Sequence, residues 1–215
     1  MDSSQENIFE FTRIEQAKDK QQKLSNLVKC ENEPGFNPIL ICGLDAAYTN
    51  HKAVAVAAVW NLETHENTEV STFRDRVSLD YIPGFLGFRE GRHLAGAIDL
   101  LHTTPDVFLV DGHGRAHPRR FGLACHLGLA IDKPTIGIAK SHFYGSIDRE
   151  RIVDSSGEIL GKVLTDKPGK PCYVSIGHKM NIDYATEVVR KCAVNNYPVP
   201  LKIAHSEAVR LRRDL

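Results

Sequence analysis

No stretch of this chain approaches the roughly 20 consecutive apolar residues that span a bilayer. The longest, such as Ala53 to Trp60, runs to about eight. The opening residues, Met1-Asp-Ser-Ser-Gln-Glu6, lack a basic segment followed by an apolar one, so no secretory signal is expected. There is no Cys-x-x-Cys pair, and the 5 cysteines are odd in number and scattered (Cys30, Cys42, Cys125, Cys172, Cys192). That pattern predicts reduced thiols in the cytoplasm or nucleus and argues against a disulfide scaffold. Nor is there an excess of either charge: Lys plus Arg and Asp plus Glu both number 27. Total charge is therefore neutral on nucleic-acid binding, because local patches set the field at a groove. Repeats and low-complexity tracts are absent. What remains is 42% apolar and 25% charged residues over 215 positions, an ordinary composition long enough for one sizeable core. A single domain over residues 1–215, monomeric and not membrane-bound, is expected.

The residues present divide into two patterns. Ser3 and Glu6 have capping-box spacing, and Ile8, Phe11, Ile14, Leu24 and Val28 recur on roughly one face. These predict one helix over about residues 7–30, ended by Glu33-Pro-Gly-Phe-Asn-Pro38, ahead of a core from about residue 38. Strands follow over 39–48, 53–61 and 69–77, with turns around Thr49-Asn50 and Glu63–Asn67. Connections this short force antiparallel neighbours. The pattern then changes to a helix over 88–101, a buried strand over 107–110, a helix from Pro118 to Leu129 and a strand over 135–139. Further strands fall within about 158–176, a helix is marked by Ala185, Val188, Val189 and Cys192, and a last helix starts near residue 201. Alternation of strand and helix implies right-handed crossovers and parallel pairing. An antiparallel three-strand meander followed by parallel βαβ units is an α/β mixed sheet of the ribonuclease H-like kind, flanked by helices. A doubly wound nucleotide-binding domain would begin with βαβ and fits less well.

Three carboxylates interrupt this apolar framework. Asp45 follows Ile39, Leu40, Ile41 and Leu44, where an ionised group is costly unless paired, metal-bound or at the sheet's end. Alone it reads equally well as a strand-end aspartate bonding a turn amide. Asp111 follows Val107-Phe-Leu-Val110 and precedes Gly112; alone it is better read as an Asp-Gly turn. Yet the carboxyl ends of parallel strands are where α/β sheets place ligands, and two such aspartates on neighbouring strands would form a metal site. Glu90 lies within about 40° of the stripe Leu94, Ala97 and Leu101 on its helix, not on a solvated face. Beyond Asp111, Gly112-His-Gly-Arg-Ala-His-Pro-Arg-Arg120 is basic, with Pro118 suited to a first helical position. A helix terminus with Arg115, Arg119 and Arg120 suits a phosphate, though without Asp111 beside it a solvated basic loop is the simpler reading. Lys140, closing its strand, could serve a phosphate or the attacking water. His113, His117 and His126 do not have the spacing of a zinc site.

Taken together these segments closely resemble the endonuclease V family. The matching blocks are Gly43-Leu-Asp-Ala46, Tyr81-Ile-Pro-Gly-Phe-Leu-Gly-Phe-Arg-Glu90, Val110-Asp-Gly-His-Gly-Arg-Ala-His-Pro-Arg119, Pro134-Thr-Ile-Gly-Ile-Ala-Lys140 and Ser175-Ile-Gly-His178. The likeness is dense over about 39–145 and thinner beyond. Any one block is weak; five in the right order are specific.

The resemblance implies cleavage beside a deaminated base, chiefly inosine, in DNA or RNA. The cut falls at the second phosphodiester bond on its 3′ side and leaves 3′-hydroxyl and 5′-phosphate ends. It places Asp45, Glu90 and Asp111 where the family has metal-binding carboxylates for Mg²⁺, with Mn²⁺ as substitute. Lys140 falls on an active-site lysine, and His205, in Ile203-Ala-His-Ser206, on an additional C-terminal site residue. Tyr81-Ile82-Pro83 resembles the family's wedge, which fills the gap left by an extruded base. Many members have proline before this tyrosine; here it is Asp80, a carboxylate near a polyanion. The base pocket is placed at Gly84, Leu86, Gly122 and Leu123, with His117 and Phe143 nearby. Main-chain groups in tight glycine turns can read hypoxanthine's O6 and N1–H while leaving no room at C2. Two other functions compete: a non-catalytic binder of modified nucleic acid, and a structure-specific nuclease of the same fold. The carboxylate set favours an enzyme, since a pure binder has no use for it beside phosphate.

Overall fold

A computed structural model describes residues 7–49 and 51–215. Three consecutive strands, the first two apolar, begin the sheet: β1 (Leu40–Tyr48), β2 (Lys52–Asn61) and β3 (Glu66–Arg76), paired antiparallel. β4 (Val107–Asp111) runs parallel to β1, and β5 (Thr135–Ala139) parallel to β4. Beyond β5 the sheet turns antiparallel through β9 (Cys172–His178), β8 (Ile159–Leu164), β7 (Arg151–Val153) and β6 (Ser146–Asp148). The order across the nine strands is β3-β2-β1-β4-β5-β9-β8-β7-β6. This is the mixed, ribonuclease H-like sheet read from the sequence. A separate two-residue ladder pairs β10 (Ala193–Val194) with β11 (Tyr197–Pro198).

Because side chains alternate along a strand, each apolar strand feeds two cores. On one face Cys42, Leu44, Ala57, Phe108 and Val110 pack under α2 (Leu86–Asp99) and α3 (Leu123–Ile131). On the other, Ile41, Val107, Leu109 and Ile136 pack under α4 (Ile182–Cys192), and Val54, Val56 and Ala58 under α5 (Val199–Leu211). Asp45 and Asp111 share the parity of Ile41 and Leu109, so both face the α4–α5 side. Gly43 has the same parity, and a methyl there would run into the backbone of Pro200 and Leu201. The missing side chain lets the start of α5 rest directly on β1.

Two expectations change. The helix over 7–30 is instead a 3-10 turn (Asn7–Phe9) and a separate α1 (Ile14–Ser25). Ser3 and Glu6 lie outside the described residues; the Gln16 side chain accepts from the Thr12 amide and hydroxyl at 2.9 Å, just ahead of α1. Phe11 leaves the helical stripe to pack on Phe88 and Phe85, and Phe9 packs on His126. The helix after the basic loop begins at Leu123, not Pro118. Arg120 has φ 55°, a left-handed conformation that breaks any helix started at Pro118. The Gly122 amide then bonds back to Gly114 O and the Ala124 amide to His113 O.

Candidate active site

The register of β1 with β4 pairs Leu44 with Val110, so Asp45 and Asp111 stand side by side at the carboxyl ends of two parallel strands. α5, seated on Gly43, brings His205 over them. One ligand atom each from Asp45, Asp111 and His205 lies within 4.8 Å of the others. Asp45 is only 9% exposed. Its Oδ1 accepts the Ala46 amide at 2.8 Å and its Oδ2 stands 2.6 Å from His205 Nδ1. Burial first, and the Asp111 charge second, push the Asp45 carboxyl above its ordinary range, with His205 opposing. Lys140, two residues beyond the partner of Asp111 in β5, donates to Asp111 Oδ2 at 2.6 Å.

Glu90 reaches the same end of the sheet from α2, on the opposite face, beside Tyr48 and outside the close group of three. Burial, followed by the Asp45 and Asp111 charges, pushes its carboxyl up to about 8. It is therefore an inward glutamate, as the helical stripe predicts. Arg89, next to it, caps the Tyr48 ring at 4.5 Å and donates to Leu79 O at 2.8 Å. Tyr197 was not foreseen: its hydroxyl approaches Asp111 Oδ2 at 3.5 Å, and its ring lies 5.5 Å from Lys140 Nζ.

Beside this cluster is a cavity of about 80 Å³ lined by Gly84, Leu86, His117, Gly122, Leu123 and Phe143, all six pocket residues expected, together with Gln21, Tyr81, Gly87 and His113. Tyr81 is 63% exposed at its edge, whereas Ile82 packs inward with Phe85 and Phe88. Pro83 is exposed beside it. Gly84 has φ 82°, which glycine adopts freely. Its carbonyl accepts from Gln21 Nε2 (3.0 Å), His117 Nε2 (3.0 Å) and Arg119 Nη2 (2.9 Å). His117 Nδ1 accepts the Arg119 amide at 3.1 Å, which assigns the neutral, Nε2-protonated tautomer. Burial, then the Arg119 charge, lowers the His117 pKa to about 3. A larger groove of about 530 Å³, lined by Phe9, Phe73 and α2, lies apart from the carboxylates.

The three arginines of the basic loop each have partners within the protein. Arg115 pairs with Glu158, Arg120 with Asp154 and Glu158, and Arg119 spans Gly84 O and Gln21 Oε1 while lying 4.6 Å over the Phe85 ring. All three guanidinium groups therefore brace the loop, without a helix terminus beneath them. Gln21, 1% exposed on α1, was also missed; it ties α1 to Gly84 O and Phe121 O, each at 3.0 Å. Neither contact has a sequence signal, since each joins segments more than 60 residues apart.

No helix among the described residues is long and apolar enough to cross a membrane. The chain is 40% identical over 205 residues to an endonuclease V of Geotalea uraniireducens, covering 91% of this chain and 87% of that one. A crystal structure of endonuclease V from Streptomyces avermitilis superposes with TM-score 0.83 at 32% identity, covering 95% of both chains. Another, of Ciona intestinalis endonuclease V in complex with a 24mer DNA containing an inosine followed by a ribo-adenosine, gives TM-score 0.86 at 26% identity, covering 94% of this chain and 98% of that one. With the endonuclease V family profile matching residues 22–206 as well, the chain belongs to the endonuclease V family and is a nuclease that hydrolyses phosphodiester bonds.

Proposed function

We propose that this protein is a Mg²⁺-dependent endonuclease that recognises inosine in a nucleic-acid strand. It cuts the second phosphodiester bond 3′ to the inosine, leaving 3′-hydroxyl and 5′-phosphate ends, in DNA repair or inosine-RNA processing. The observation that carries this reading is the juxtaposition of the Asp45–Asp111–His205 group with the small Gly84 pocket and its exposed Tyr81. The inosine-containing DNA held by the Ciona relative supports the choice of base.

The side chains fit a hard divalent cation. The Asp111 charge raises the proton affinity of Asp45, and both aspartates raise that of Glu90, a repulsion that a cation relieves; an oxygen-rich donor set with room for retained waters suits Mg²⁺. Asp45 and Asp111 would hold it, with Glu90 completing the negative field from the other face. When bound, such an ion polarises the scissile phosphate, lowers the pKa of a water and stabilises the departing 3′ oxygen. His205 orients Asp45 through Nδ1, and Lys140 holds positive charge beside Asp111 where a phosphate would lie. Tyr81 fills the gap in the stack, while Ile82 and Pro83 fix its base. The main chain at Gly84 and Leu86 reads O6 and N1–H, and Gly122 and Leu123 close the side occupied by guanine's 2-amino group.

The test incubates the protein with matched single-inosine and unmodified DNA and RNA strands, with Mg²⁺ and with chelator. The expected result is Mg²⁺-dependent cleavage of inosine strands alone, mapped at the second 3′ bond. Binding without a metal-dependent cut would leave a non-catalytic binder; equal cutting of both strands would leave a structure-specific nuclease.

A further inference from the structure

The hairpin β10–β11 is tighter than its two-residue strands require. Asn195 and Asn196 both take left-handed backbone angles (φ 53° and 65°), the pair of positions that defines a type I′ turn. Asn196 is 2% exposed, and its side chain accepts the Lys167 amide at 2.9 Å and donates to Lys167 O at 2.6 Å. The Lys167 ammonium in turn donates to Ala193 O at 2.8 Å. This latch fixes the residue that follows, Tyr197, one position before Pro198 and the start of α5.

From that fixed point the Tyr197 hydroxyl and the Lys140 ammonium meet the same oxygen of Asp111, Oδ2, and the ammonium also lies against the tyrosine ring. Among the described residues, Oδ1 of Asp111 accepts no hydrogen bond. A carboxylate with both donors on one oxygen loses its freedom to rotate and presents the other oxygen in a set direction.

We propose that Tyr197 is a positioning residue that, with Lys140, divides the two oxygens of Asp111, keeping Oδ2 for the protein and Oδ1 for the divalent cation. The inference rests on the metal-dependent reading of the Asp45–Asp111 cluster. Tyr197 touches neither the base pocket nor Asp45 by hydrogen bond, so its effect is specific to cation binding and to the step that uses the cation.

The test compares the parent protein with Tyr197→Phe, which keeps the ring, and Tyr197→Leu, which removes it. Mn²⁺ affinity is measured without substrate by electron paramagnetic resonance. Inosine-strand affinity is measured in chelator, single-turnover cleavage in saturating Mg²⁺, and melting temperature throughout. Removing the hydroxyl leaves the packing intact, so Tyr197→Phe keeps its melting temperature. Its Mn²⁺ affinity falls about fivefold, the worth of one net hydrogen bond. Tyr197→Leu falls further, because Lys140 loses the ring as well. Strand affinity in chelator stays at the parent value for both. Unchanged Mn²⁺ affinity in Tyr197→Phe would overturn the proposal, as would a fall matched by equal losses in melting temperature and strand affinity, which marks a merely structural tyrosine. Parent protein that binds Mn²⁺ yet shows no metal-dependent cleavage would instead remove the nuclease mechanism and leave the Tyr197 comparison standing.

Discussion

The carboxylate cluster and the Gly84 pocket are neighbours built on opposite principles. The cluster sits at one end of the central strands and gathers like charges: Asp111 makes Asp45 harder to ionise, and both aspartates do the same to Glu90. The pocket is built from loops and helix residues, and its central carbonyl is engaged without a ligand, with three donors on Gly84 O and a neutral His117 bridging Gly84 and Arg119. One region is electrostatically incomplete and the other is preorganised. A rigid frame can hold charges that repel, whereas a loop must be locked by hydrogen bonds before it can present a shape.

Removing one charge from the incomplete region is expected to have the largest effect. Asp111→Ala should lower the cleavage rate constant by roughly 10³-fold or more, as loss of a principal transition-state stabiliser does. Affinity for an inosine strand should hold or improve, because repulsion of the backbone is reduced. Near-parent cutting by this variant would show that the cluster is not the metal site.

The two regions also differ in the sign of their pH dependence. Burial lowers the pKa of His117 to about 3 and of His126, in the same corner, to about 4. Their folded-state values lie below the unfolded value near 6.5, so their contribution is complete above that pH and lost as pH falls toward 4 and 3. Glu90, raised to about 8, contributes oppositely in cation-free protein: its share is complete below about 4.5 and lost as pH rises through 8. In Glu90→Gln, held in chelator, the histidine effect should dominate. Unfolding free energy should then drop by about 2 kcal/mol per histidine between pH 7 and pH 5. Urea denaturation at the two pH values measures it, and a flat profile would mean both rings are solvated.

The locking of the pocket can be tested through Gln21. Gln21→Leu leaves Gly84 O and Phe121 O each short of a buried donor and frees one bond of Arg119. A loss of about 2 kcal/mol in stability is expected, with weaker inosine binding and an unchanged cleavage rate constant at saturation. If the rate constant fell with affinity unaltered, the pocket and the cluster would be one unit, not two. The smallest effect belongs to Tyr81, whose exposed ring contributes little to folding. Tyr81→Ala should weaken binding to an inosine strand about tenfold, the scale of one lost stacking contact, without moving the melting temperature. Affinity equal to the parent would make the ring a bystander.

Much of this contrast was legible before any coordinates. The two periodicities separated the meander from the βαβ units. An aspartate late in each of two buried strands required a reason that sheet register then supplied. Glu90 was found because a charge on an apolar stripe contradicts its surroundings. The pocket's glycines came from family blocks, not from periodicity. What stayed hidden depended on partners remote in sequence or on backbone angles that residue type leaves open. Arg120 and Arg149 take left-handed angles with no glycine or asparagine to announce them, which is why the helix start at Leu123 and the turn between β6 and β7 escaped notice. The partners of Arg115 and Arg120, Asp154 and Glu158, lie more than 30 residues away, so their ion pairs leave no local pattern. Tyr197 approaches Asp111 across 86 residues, and no local pattern encodes that contact.

The seating of α5 on Gly43 carries a consequence for the order in which activity is acquired. Asp45 leaves the ribosome early, but its partner His205 follows 160 positions later on the final α-helix. Contacts of such long separation close late in folding. An emerging chain therefore has its meander, and both aspartates, before the last helix can dock. Closure of the three-residue group thus waits on the docking of α5, so a chain that has formed only its meander and β4 holds the two aspartates without their histidine.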